Sequence, residues 1–345
     1  MGSEQISLCP ISVEHLEDDS SNLLPLKISD SLFVEDVSEI LRDTAFDPLV
    51  PQYYSKEEVG RLTRAKYAFV RRIECENGEE PNARAESVRM LYQFYIGLKA
   101  VRPTTGRFQV LHYDMGKPKP RLPAGERNDY ATILCDCEIL NRVRIKDLME
   151  LAQLGPCISR TLNSAKNPIS QAAQSLEIGY RADFLNVRHL LWVVGLDALF
   201  TSTEWKNRGR DVAVERIKDF LGLDFQIYPE QPFAGLDLPT LGSVLLKDAA
   251  EHIYKLRNDF AHGAWPDKQW AGRVCRRSLS LDPGRDIYYA EQLSEAASAT
   301  LRGCLRKILS DRQWVEIFSD KTKMNSYFAS RNLIRRRKKQ FSAHP

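Results

Sequence analysis

"LGSVLLKDAAEHIYKLRNDFAHG", residues 241–263, repeats its apolar residues at helical spacing and then stops. At about 100° per residue, Leu245, Ala249, Ile253, Leu256 and Phe260 fall on one stripe, which marks a helix facing a core. A second stripe follows Leu246, Ala250, Tyr254 and Ala261, with Arg257 and Asn258 at its edges. Lys247, Glu251 and Lys255 leave only a narrow solvated strip. Such a helix has two neighbours. One stripe serves the protomer's own core; the other meets either a further helix of the same chain or a second copy of it. Gly263 and Pro266 are stop signals, which puts His262 in the last turn.

The surrounding sequence, from about residue 170, has the same character. "RADFLNVRHLLWVVGLDALF" (181–200) is apolar on nearly every face and predicts a helix buried on all sides. "VAVERIKDFLGLDF" (212–225) predicts a shorter amphipathic helix, and "IYYAEQLSEAASATLRGCLRKIL" (287–309) a long one. Four helices with one fully buried predict a compact bundle over residues 170–330. The small, polar stretch "NSAKNPISQAAQS" (163–175) is the expected domain boundary.

Residues 1–165 read as a helical and α+β region. "SKEEVGRLTRAKYAFVRRIEC" (55–75) opens with a capping box, Ser55 and Glu58. Val59, Leu62, Lys66, Phe69, Val70 and Ile73 then recur at helical spacing, so a helix is expected there. After the turn "ENGEEPNA", the residues Val88, Leu91, Tyr92, Tyr95 and Leu98 predict a second helix. "GRFQVLHYDMG" (106–116) and "DYATILCDCEI" (129–139) are short and rich in strand formers, and predict a small sheet. "VRIKDLMELAQLG" (143–155) predicts a helix with a glycine stop. Residues 1–54 carry no firm signal. The fold class expected is therefore mainly α, with a small sheet in the N-terminal half.

Composition restricts the function classes. Of 345 residues, 43% are hydrophobic and 28% charged, as in a globular protein. A net charge of +3 demands no polyanionic partner, so any nucleic-acid affinity must come from local clusters. Seven cysteines without a CxxC pair argue against a disulfide framework and a structural zinc site. Cys135 and Cys137 share a strand face but lack a second Cys/His pair, and read as buried thiols. The polar, acidic first residues lack the apolar core of a signal peptide, and no apolar run approaches the about 20 residues of a membrane span. A cytoplasmic protein with no cofactor and no membrane partner is expected.

Arg257, Asn258 and His262 carry the chemistry that the sequence offers. Spacing alone proves little, because "RFQVLH" also places Arg107 five residues before His112, in a stretch that alternates like a strand. The later match has a helix end around it. Asn258 and His262 are four apart and share a face, and the free carbonyls of a last turn favour a protonated imidazole. A histidine there titrates near neutral pH or serves simply as a cap. Arg257 beside a buried stripe needs a carboxylate or phosphate. Asp197, the one acid of the apolar helix, needs a partner too, and the two are expected to pair. Arginine, titrating histidine and no metal ligands suit phosphoryl transfer on RNA, whose 2′-OH is its own nucleophile.

"LRNDFAHG" resembles the HEPN superfamily, whose helical bundles carry an Arg, a polar residue, three variable residues and a His. Together with "LLWVVGLDALF" it looks like the ApeA-like HEPN branch found in bacterial defence proteins. The resemblance covers roughly residues 175–330. It implies a metal-independent endoribonuclease, acting as a homodimer with both motifs in one cleft and leaving a 2′,3′-cyclic phosphate. Carried over by position, Arg257 stabilises the phosphate, His262 is the acid/base and Asn258 orients it, with Asp197 and Tyr254 in support. The family often has glutamate where this chain has the shorter Asp197. A toxin or antiphage effector follows from the resemblance, and the N-terminal half is then expected to sense or restrain, alone or with a regulatory protein.

The rival reading is a non-catalytic HEPN module that dimerises and binds RNA or protein; members with a degraded motif behave so. A DNA-binding regulator is a third reading, without a helix-turn-helix to support it. "RNLIRRRKKQ" (331–340) supplies Arg331, Arg335, Arg336, Arg337, Lys338 and Lys339. Such a run is expected either as a disordered, solvated tail (331–345) or as a track for an RNA backbone.

Overall fold

A computed structural model of the chain describes residues 3–11, 24–38, 40, 66–75, 80–103, 108, 110–114, 143–162, 166–182, 184–201, 209–227, 244–263 and 286–342. The chain divides into two units, one up to Asn163 and one from Ser164. The fold is mainly helical with a small antiparallel sheet.

The first unit is built on a five-stranded sheet of order β2-β3-β4-β1-β5, from β1 (Ser3–Ile11), β2 (Leu26–Ser29), β3 (Leu32–Asp36), β4 (Tyr67–Cys75) and β5 (Leu111–Asp114). Every pairing is antiparallel. Against it lie the helices α1 (Glu80–Val101) and α2 (Ile145–Thr161). α1 packs on β4, β1 and α2, and α2 on β2. The helix expected over Val88–Leu98 is present but begins at Glu80, within the stretch read as a turn, and the strand expected within 106–116 is present as β5. The helix expected over 55–75 is not: Tyr67–Cys75 is a strand, and Ser55, Glu58 and their neighbours lie outside the described residues. Tyr67, Ala68, Phe69, Val70 and Arg71 are all buried, on both faces of the sheet. A run buried on both faces loses its two-residue alternation, so its spacing fits a helix equally well. The strand expected at 129–139, with Cys135 and Cys137, lies outside the described residues.

Gly155 does not stop α2, which continues to Thr161. A Cβ there would lie 3.0 Å from the Ile28 carbonyl oxygen and 3.5 Å from the Phe94 ring. The glycine therefore serves close packing of α2 on β2 and α1, not termination.

The second unit holds α3 (Pro168–Arg181), α4 (Leu185–Phe200), α5 (Gly209–Leu221), α6 (Leu246–Ala261), α7 (Asp286–Leu309), α8 (Arg312–Phe318) and α9 (Lys321–Ser342), with a short pair β6 (Gln226–Ile227) and β7 (Val244–Leu245). The polar stretch 163–175 contains the start of α3: Asn167 caps it, accepting the Ile169 N–H at 2.9 Å, and Pro168 stands at the first helical position. α4 packs against α3, α5, α6 and α7. Trp192, Val193, Leu196, Leu199 and Phe200 are its buried hydrophobic residues. It is not buried on all sides, because Val187 and Val194 are exposed, as is Phe184 at its cap. The basic run is helical: α9 passes through Arg335, Arg336, Arg337, Lys338 and Lys339 to Ser342, and their side chains lie outside the described residues.

His189 fixes α6 and α7 to α4. Its ring is fully buried; Nε2–H donates to the Ile253 carbonyl at 2.8 Å, which leaves Nδ1 to accept the Ser294 hydroxyl at 3.1 Å. Phe260 meets the same ring edge to face, at 5.7 Å. Burial lowers the imidazole from 6.5 to about 4, so the folded chain holds it neutral. That contribution is complete above 6.5 and is lost as pH falls towards 4, because the unfolded chain takes up the proton first. The interval corresponds to roughly 3 kcal/mol. Urea midpoints are expected to fall across it, and less steeply in His189→Gln; equal slopes would show that this histidine is not the proton acceptor.

Candidate functional site

α6 begins where β7 ends, and the Leu246 N–H reaches back to the Phe225 carbonyl at 2.9 Å. Leu246, Ala250 and Tyr254, the stripe assigned to either neighbour, are buried inside this unit, and only Ala261 is exposed. The second stripe therefore meets helices of the same chain and is not a face for a second copy. The helix ends as its sequence requires. His262 is the C-cap, its N–H on the carbonyls of Asn258 and Asp259 at 3.1 and 3.2 Å, and Gly263 adopts a left-handed φ of 70°.

Asp197 and Arg257 are brought together. The nearest guanidinium nitrogen, Nη2, lies 3.9 Å from Asp197 Oδ2, a long ion pair with the arginine 40% and the aspartate 25% exposed. The shorter bond to the carboxylate comes from the Tyr254 hydroxyl, which donates to Oδ1 at 3.0 Å. Burial holds the Asp197 carboxyl above its ordinary value, while Tyr254, Arg257 and Lys321 oppose that shift. Burial, reinforced by Asp197, pushes the Tyr254 phenol well above 10. The tyrosine is thus a fixed donor at neutral pH.

Lys321, at the start of α9, was not legible as part of this group. Its ammonium donates to the carbonyls of Ala198, Thr201 (2.9 Å) and Asp197 (3.4 Å), closing the C-terminal end of α4. Burial lowers it to about 8, helped by Arg216 and opposed by Asp197. Asp197 is therefore held through its side chain by α6 and through its backbone by α9. No local pattern could have revealed a contact 124 residues away. His189 could have been found, since a histidine within an apolar helix needs partners.

Arg257 Nη1 donates to the Asn258 side-chain oxygen at 3.0 Å. That oxygen is engaged by the arginine, where the family role has Asn258 orienting the histidine. His262 stands exposed at the helix end. Arg257 keeps a partly open guanidinium on the preceding turn, held between Asn258 and Asp197. Such an arrangement can present a fixed cation and an accessible imidazole to one anionic substrate. The earlier Arg–His match lies elsewhere: His112 is buried in β5, its Nδ1 at 2.8 Å from the Ser7 hydroxyl, and Arg107 lies outside the described residues. Among the described residues no three His, Cys, Asp or Glu side chains gather as a metal site, and no helix is long and apolar enough to cross a membrane.

The chain matches no protein-family model, no curated protein and no solved structure.

If the Tyr254–Asp197 bond anchors the group, Tyr254→Phe should lower stability by roughly 1–3 kcal/mol at neutral pH. Repeating the substitution in an Asp197→Ala background should remove most of that loss, as urea titrations of the four proteins would show. Additive losses would mean that the two side chains do not depend on each other.

Proposed function

We propose that the second unit is a HEPN-type, metal-independent endoribonuclease, with Arg257 and His262 as its catalytic residues. The observation that supports this reading most is the state of Arg257. It is charged, partly open, tied to a carboxylate that is itself held from two sides, and one turn before an exposed histidine.

The reaction balances with those groups. A base takes the 2′-OH proton, the 2′-oxygen forms a bond to phosphorus, and the bond from phosphorus to the 5′-oxygen breaks. That oxygen receives a proton from an acid, leaving a 2′,3′-cyclic phosphate and a 5′-hydroxyl. Arg257 neutralises charge on the non-bridging oxygens as the phosphorus becomes five-coordinate. Each chain offers one His262 for two proton transfers, so a second copy supplies the other imidazole in this reading. The exposed Phe184, Val187 and Val194 support such pairing, since Val194 lies one turn from Asp197 and the buried α6 stripe is no longer free to serve. Asp197 and Tyr254 act through Arg257. Asn258 keeps the arginine in place, and the basic stretch of α9 favours an RNA backbone. A nuclease with no required metal suits a toxin or antiphage effector, restrained or triggered through the first unit.

Purified protein is expected to cut RNA in EDTA and to leave cyclic phosphate ends. His262→Ala should lower the rate by ~10²–10⁴-fold, the usual worth of a proton-transfer group. Arg257→Ala should cost a comparable factor, and His112→Ala, outside the site, should leave cutting intact. His262 is exposed, so its loss should not unfold the chain. A His262→Ala protein as active as wild type, or activity abolished by EDTA, would sink this mechanism. RNA binding without cutting would favour the non-catalytic module.

A further inference from the structure

The sheet of the first unit carries a polar row where a hydrophobic one is expected. Register places Arg71 of β4 opposite Ser7 of β1, and Ser7 opposite His112 of β5. Directly opposed residues share a face, so the three side chains form one line across adjacent strands. All are buried: Arg71 7%, Ser7 2% and His112 5% exposed. α1 covers this face, because Arg71 Nη1 donates to the Ser87 hydroxyl at 3.4 Å and Nη2 lies 3.3 Å from Glu86. Arg84, one turn before Ser87, brings a second guanidinium close enough for its charge to act on His112.

Among the described residues one carboxylate, Glu86, pairs with Arg71, and it is half exposed. The Nε atoms of both Arg71 and Arg84 are buried without a hydrogen-bond partner among the described residues. Unused guanidinium donors in a buried position are costly to leave unmade. The Ser7–His112 pair, 2.8 Å apart, adds another. If the hydroxyl donates to Nδ1, the ring proton sits on Nε2 and is free to donate; if Nδ1 carries the proton, the hydroxyl is free. Either way one donor remains. Among the described residues the group thus has two guanidinium groups, unused donors and one competing anion at its rim.

We propose that Arg71, Ser7 and His112 of the sheet, with Arg84 of α1, form a binding site for a phosphate-class oxyanion, either free phosphate or the phosphoryl group of a nucleotide. Two guanidinium groups and the one donor that the Ser7–His112 pair leaves over match the acceptor oxygens of phosphate, while the Ser87 hydroxyl, which donates to the Ala83 carbonyl at 2.8 Å and accepts from Arg71, holds that arginine in place. Glu86 occupies Arg71 in the empty site and is displaced towards solvent by the ligand. This site stands apart from the reading of the second unit and does not depend on it.

The test uses the full chain and inorganic phosphate, with ionic strength held constant by chloride. Thermal unfolding should rise saturably with phosphate, and calorimetry should give a finite affinity. Arg84→Gln, the less buried arginine, should weaken that affinity about tenfold or more, the worth of one charge-assisted hydrogen bond. Glu86→Gln removes the competitor and should tighten binding, which a purely structural Arg71–Glu86 pair would not produce. Adenosine monophosphate distinguishes the sources: tighter binding than inorganic phosphate, lost in Arg84→Gln, assigns a nucleotide, and no gain assigns free phosphate. A wild-type protein that responds to phosphate no more than to chloride overturns the proposal, as does Arg84→Gln binding as well as wild type.

Discussion

A carboxylate in the last turn of an apolar helix has to be hydrogen-bonded or neutralised, and Asp197 imposes that demand on two other elements. α6 supplies the Tyr254 hydroxyl and the more distant Arg257 guanidinium. α9 supplies Lys321, which takes the carbonyls that α4 leaves free at its end. α6 is tied to α4 again, two turns lower, through His189 on the Ile253 carbonyl. These polar ties cross a helix interface that apolar packing alone leaves free to slide. An apolar residue at 197 would remove the reason for Tyr254 and Arg257 to sit where they do. The burial that raises the Asp197 carboxyl is thus the constraint that orients the last two turns of α6.

How much of this was legible depends on how many faces an element buries. α6 has two apolar stripes and a polar strip, so its span, its end and its two neighbours could be read from residues 241–263. Which neighbours they were could not. Both stripes are consumed within the chain, and spacing does not distinguish an internal partner from a second copy. The Asp197–Arg257 association followed from the cost of burying each alone. Lys321 did not, because a lysine that caps a distant helix looks like any surface lysine at a helix start. α4 failed in the opposite direction: its uniform hydrophobicity implied burial on every side, yet Val187 and Val194 face outward. Hydrophobic content limits what is inside without forcing everything apolar to be there.

The first unit was harder to read for a related reason. β4 is buried on both faces, so Phe69 and Val70 gave no alternation and their spacing suited a helix. Gly155 looked like punctuation because glycine often ends helices, whereas its neighbours Ile28 and Phe94 show that it is there for lack of a side chain. Of the strands before residue 40, β2 and β3 are short, and β1 holds a polar residue, Ser7, among its buried ones. Ser7 and Arg71 interrupt the pattern that would have announced β1 and β4. The residues that hid the sheet from the sequence are the ones that give it a chemical character.

The two Arg–His spacings show what decides the chemistry of a histidine. His112 lies in a strand, nearly closed to solvent, bonded to Ser7, and lowered to about 4 by burial and the Arg84 charge. A ring so placed cannot exchange protons with a substrate at the surface, although as a neutral donor it can help hold an anion. His262 has only its backbone engaged by the helix end, and its imidazole is open to whatever approaches Arg257. Proton transfer requires contact with the reacting oxygen before it requires any particular acidity. Identical spacing therefore yields a binding group in one unit and a candidate acid or base in the other. The difference comes from the secondary structure that carries each histidine: the buried face of a sheet closes a ring in, even on the end strand β5, and the C-cap of a helix leaves it exposed.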